Sequence, residues 1–129
     1  LADVYFPAAG WGEKDGTFIL STDKKAQAPF ITRSQLKLKG PLTASISIKS
    51  DTDGAGGIAW RMDGDKDFLP ANRVAFKVSA DSDWQTHEVP LPANGNLIHL
   101  RIHFPVGSTQ IQKLELKDAV GKVVLLVKP

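Results

Sequence analysis

A chain of 129 residues with 42% apolar and 23% charged side chains has the composition of one compact domain and lies well away from the low-hydrophobicity, high-charge signature of disorder. Sixteen basic and fourteen acidic residues give a formal charge of +2, and with no run of about five or six like charges the composition argues against nucleic acid as a partner. The absence of cysteine excludes disulfides, thiolate nucleophiles and cysteine-bound metals, and the longest apolar runs, such as Val123–Val127, fall far short of the ~20 residues of a membrane helix.

The chain opens at Leu1 with neither methionine nor a cationic-then-apolar leader, which reads as a processed protein or a piece of a longer one. From there the apolar residues recur with period two, and helical spacing is scarce. Strands are predicted at 17–20, 29–34, 43–50, 56–62, 72–79, 84–91, 97–104, 111–117 and 122–127. In 43–50, Ala44, Ile46 and Ile48 share one face and Thr43, Ser45, Ser47 and Lys49 the other, the pattern of a half-buried strand. Val74, Phe76 and Val78 repeat it.

Turns fall at 51–57, 63–65, 94–96 and 105–107, where Gly tolerates positive φ and Asn or Asp bonds the local backbone. Short strands about eight to twelve residues apart with turn signals between them predict an all-β antiparallel sandwich. No linker divides 1–129, which reads as a single domain.

Candidate site residues follow the same order. In 56–62, Arg61 is out of phase with Ile58, Trp60 and Met62, so Trp60 is expected in the core and Arg61 away from it. The loop 63–73 holds Asp63, Asp65 and Asp67, an exposed Phe68 and Arg73, and binding residues often occupy such loops. Its Asp-x-Asp-x-Asp spacing is not an EF-hand, because Phe68 stands where that loop needs Gly and Val74 where it needs Glu. Trp84 opens a strand and is expected to be a buried structural aromatic.

In 97–104, Ile98, Leu100, Ile102 and Phe104 alternate with Leu97, His99, Arg101 and His103, which places the polar three together on the outer face. Four residues of extended strand separate His99 from His103 by roughly 13 Å, whereas ligands of one zinc ion sit about 2 Å from it, so the two cannot share a metal. Two readings stand: a solvated face, or a polar platform in which Arg101 presents a fork of donors to carboxylate, sulfate or sugar hydroxyls.

No cofactor is expected. An oxygen-only calcium site between loops, drawing on Asp3, Glu13, Asp15 or Asp118, is the alternative. Enzyme activity is not expected either, because there is no nucleophile elbow, no phosphate-cradling glycine loop and little room for a cleft between paired carboxylates.

Gly57-Ile-Ala-Trp-Arg61, then Arg73–Val78 with Asp81–Leu91, then Leu97–Ile102 and Ile111–Gly121, make an ordered pattern. It resembles the jelly-roll accessory domains appended to bacterial, notably planctomycete, sulfatases, which look like galactose-binding-type carbohydrate-binding modules. The resemblance covers about residues 40–124, with Ala9-Gly-Trp-Gly12 as an entry strand. In related modules an aspartate and a proline commonly follow the Leu-Arg-Ile strand, whereas here His103 and Phe104 stand before Pro105.

The resemblance implies a noncatalytic jelly-roll domain of a secreted or periplasmic carbohydrate-active enzyme, partnered by a catalytic domain outside this chain; the charge balance and the short apolar runs speak against nucleic acid and membrane as partners. Glycan binding, with an anionic or sulfated sugar suiting the cations, would fall to Arg61, Phe68, Arg73, His99, Arg101 and His103. The alternatives are a purely structural domain packed on a catalytic partner and, last, a small hydrolase.

Overall fold

The computed structural model describes residues 4–5, 9–14, 17–22 and 30–127, and among them every regular element is a strand. They are β1 (Val4–Tyr5), β2 (Ala9–Lys14), β3 (Thr17–Thr22), β4 (Phe30–Arg33), β5 (Leu38–Lys39), β6 (Leu42–Ser50), β7 (Gly54–Met62), β8 (Arg73–Val78), β9 (Gln85–Leu91), β10 (Asn96–His103), β11 (Ser108–Lys117) and β12 (Val123–Val127). Two antiparallel sheets face each other. Sheet A runs β1-β4-β10-β7-β8 with β5 also on β10, and sheet B runs β2-β3-β11-β6-β9 with β12 also on β11.

From β6 onward the chain passes from sheet B to A, pairs β7 with β8, and then changes sheet at each connection through β9, β10 and β11. Each strand therefore shows one face to the opposite sheet and one to solvent, and the period-two pattern follows from that placement. The shared interior is built from Ile46, Ile48, Ile58, Trp60, Val78, Leu91, Leu97, Phe104, Ile111 and Leu116, all almost completely buried. This is the antiparallel jelly-roll sandwich that the alternation and the resemblance predict. A crevice of about 20 Å³ within the core, lined by Ile31, Ala44, Ile46, Leu100 and Ile102, is too small and too apolar to be a ligand site.

Connections at one end are fixed by side chains that replace lost ladder bonds. Asp51 Oδ1 accepts the Ser108 amide at 2.9 Å and the Thr52 hydroxyl at 2.8 Å, and these bonds hold its carboxyl below the ordinary 3.8. Gly107, at φ +131°, lies against Thr52, so a side chain there would meet both steric and backbone strain.

The structure departs from strict alternation at two bulges. In β10 the pairing moves from Leu97↔Met62 to His99↔Arg61, so Ile98 is an extra residue. As a result Leu97, expected outside, is fully buried, while Ile98, expected inside, is only half-buried. β11 slips likewise at Gln112, and its buried set passes from Thr109 and Ile111 to Leu114 and Leu116.

Trp60 is in the core as expected, at 1% exposure. Trp84 is not: it is 37% exposed, with the Lys49 ammonium 4.8 Å from its ring centre. It precedes β9 at the sheet border, where no second layer covers it.

Candidate functional site

The outer face of sheet A collects most of the predicted residues. Ile31, Ile58, Trp60, Leu100 and Ile102 point into the core, so their alternates point out. Register then sets His99 beside Arg61, Arg101 between Thr32 and Ala59, and His103 between Phe30 and Gly57. On the far side of β7, Arg73 pairs with Ala59 and Ala75 with Gly57.

Arg101 is the centre of this surface. Its guanidinium carbon lies 4.3 Å from the Phe68 ring centre and 5.2 Å from that of Phe30, both within cation–π range. Phe68 also meets the His99 ring edge-on at 4.8 Å, and Phe30 meets His103 at 5.0 Å. His99 Nε2 shares a 2.7 Å hydrogen bond with the Thr32 hydroxyl, which fixes the ring on the face.

Phe68 was expected to be exposed, but it is half-buried because its loop folds back over the sheet. The carboxylates of that loop cause the fold. Asp65 Oδ2 accepts the Met62 amide at 3.0 Å and the Asn72 side-chain amide at 3.4 Å, and Asp67 Oδ1 accepts the Phe68 amide at 2.7 Å. These aspartates act as turn bonds that bring the phenyl ring onto Arg101.

The electrostatics of the face are one-sided. Arg61, Arg73 and Arg101 form no ion pair with any described carboxylate, and the Nε atoms of Arg61 and Arg101 are buried without a hydrogen-bond partner. Small residues leave room for the long side chains to lie down. A β-carbon at Gly57 would stand 2.7 Å from Arg73 Nη2, so the guanidinium rests on bare backbone. Burial, then the charges of Arg73 and Arg101, hold the His103 imidazole below its ordinary 6.5, so it is largely neutral at pH 7.

Sheet B's outer face is the contrast. Ser45 donates to Glu88 at 3.0 Å, Ser47 donates to Gln112 at 3.1 Å, and Glu115 takes Lys113 at 3.5 Å and Lys117 at 3.7 Å. There Ser45, Ser47, Lys113 and Lys117 each meet a polar or acidic side chain, whereas the Nε atoms of Arg61 and Arg101 on sheet A have no hydrogen-bond partner.

The six predicted residues thus lie on one face. Phe68, His99, Arg101 and His103 are linked through ring and cation–π contacts, Arg73 reaches toward them over Gly57, and Arg61 stands beside His99. Sequence reasoning missed Phe30 and Thr32. Their alternation with Ile31 marks an outer face, but only strand order puts that face beside β10. Among the described residues no three His, Asp or Glu side chains converge as metal ligands. Asp3 and Asp15 lie outside the described residues, and the Asp118 carboxylate accepts the Val120 and Lys122 amides of its own turn.

No family model and no curated protein matches the sequence. Solved structures do match its fold. The C-terminal family 6 carbohydrate-binding module of a marine laminarinase from Zobellia galactanivorans aligns with a TM-score of 0.62 at 11% identity, over 89% of this chain and 92% of that one. A family 29 carbohydrate-binding module gives 0.63 at 10% identity over 88% and 75%. A family 29 variant complexed with mannohexaose gives 0.60 at 10% identity over 88% and 78%. At such identities the likeness is one of fold, and the fold of this chain is the jelly-roll sandwich of carbohydrate-binding modules.

Proposed function

We propose that this chain is a noncatalytic glycan-binding module whose binding surface is the outer face of sheet A. The observation that carries the reading is Arg101, set against two phenyl rings and joined by no carboxylate. Aromatic faces suit the apolar side of a sugar ring, and guanidinium forks and imidazoles suit its hydroxyls and charged substituents. The uncompensated arginines favour an anionic glycan, sulfated or uronic. The architecture shared with carbohydrate-binding modules supports the sugar, and the resemblance to sulfatase accessory domains suggests the context: a module that positions substrate for a catalytic domain in a secreted or periplasmic enzyme.

A structural domain that packs on a catalytic partner without binding sugar is the second reading. Exposed Val120, Val123 and Leu126, at 87%, 42% and 45%, favour it by offering an apolar border for a neighbour. Calorimetric titration with sulfated, uronic and neutral oligosaccharides separates the two. Glycan binding that weakens by about tenfold or more in Arg101→Ala and in His99→Ala is expected, the loss of a charge-assisted hydrogen bond being that large. Binding unchanged in both variants moves the site elsewhere, and no binding to any sugar leaves the structural role.

A further inference from the structure

We propose that the sheet A face is divided, with an oxyanion substituent of the glycan bound at a corner formed by Arg73, Arg101 and His103 over Gly57, and the sugar ring taken at the Phe68 end. This rests on the glycan-binding reading above and adds where the charge is read.

The corner follows from register. Gly57 has His103 opposite it on β10, while on β8 Ala75 stands opposite and Arg73 two residues along, paired with Ala59. With no side chain at Gly57, the Arg73 guanidinium leans across β7 toward His103. Arg101 stands two residues from His103 on the same strand face, and both arginines act electrostatically on the imidazole. Three cationic or potentially cationic groups thus come from two strands with no carboxylate among them. A group of oxygens carrying negative charge completes such a set, drawing forks from the arginines and a proton donor from His103.

The other end differs in kind. Phe68 packs on His99 and Arg101 and is not among the residues at Gly57, while Thr32 and His99 bond each other there. That end offers a phenyl ring with the Thr32 hydroxyl and the His99 imidazole beside it, which suit a ring and its hydroxyls.

Sulfate esters and uronate carboxylates share the required chemistry, so the test carries both. A κ-carrageenan hexasaccharide, the same sugar chemically desulfated, and hexaguluronate are titrated into wild type, Arg73→Ala and Gly57→Ala. The glycine variant tilts Arg73 away through contact with the end of a flexible side chain, and melting curves verify that each variant is folded. Wild type is expected to prefer a charged sugar over the desulfated one by about tenfold or more, and that ratio to fall to within about threefold in both variants. A ratio lost only for carrageenan identifies a sulfate ester, one lost only for hexaguluronate a carboxylate, and one lost for both a shared oxyanion site. Each supports the proposal.

A preference that survives intact in both variants, or a wild type with no preference for either charged sugar, overturns it. Phe68→Ala, titrated with the desulfated sugar, separates the failures. Weakened binding there with an intact charge preference leaves the glycan-binding reading standing and removes only the anion corner, whereas no binding to any of the three sugars removes both.

Discussion

Arg101 lies against two rings and meets no acid, and that placement shapes the behaviour of its neighbour. His103 is half-buried beside it, and burial together with Arg73 and Arg101 makes the charged imidazole costly. A folded-state pKa below the unfolded value means that neutral His103 costs the fold nothing above about pH 6.5, while stability is lost as pH falls from there through the depressed value. His87, lowered by burial beside Phe76, acts in the same direction. The melting temperature is therefore expected to drop between about pH 7.5 and pH 5, and to drop less in His103→Gln and His87→Gln. An equal drop in both variants contradicts the assignment. Anionic ligand has the opposite sign, since it offsets the repulsion and tightens as His103 gains its proton.

At the scale of elements, much of the molecule is legible in its alternation. Segment 43–50 reads directly as β6, and the outward set His99, Arg101 and His103 is correct because all three lie beyond the bulge. Leu97 and Ile98 are misassigned because an extra residue reverses the phase, and no composition rule marks Ile98 or Gln112 as that residue. Trp84 is misread because strand-opening position says nothing of what covers it. Phe30 and Thr32 required strand order. The slip in β11 leaves Thr109 at 1% exposure with its hydroxyl unpartnered. Thr109→Val keeps the shape and removes a buried, unpaired polar group, so a gain of about 1 kcal/mol is expected by denaturant unfolding. A loss of similar size would mean that the hydroxyl has a partner in solution.

Across the whole molecule, the core and the proposed binding face lie on opposite sides of sheet A and should be separable by mutation. Phe104 is fully buried and meets Phe76 edge-on at 6.5 Å, so Phe104→Ala is expected to cost about 3–5 kcal/mol of stability. Phe68→Ala, outside the core, should cost about 1 kcal/mol or less while weakening glycan binding. The two sheets also differ in what they offer: on sheet B Ser45, Ser47, Lys113 and Lys117 have polar partners, and sheet A leaves Arg61 and Arg101 without an acid among the described residues. The most direct test is backbone amide mapping by magnetic resonance as a sulfated oligosaccharide is added to nitrogen-labelled protein. Shifts concentrated at Phe30, Thr32, Gly57, Phe68, His99, Arg101 and His103 are predicted. Shifts confined to Ser45, Ser47, Thr86 and Gln112, or none at saturating sugar, contradict the account.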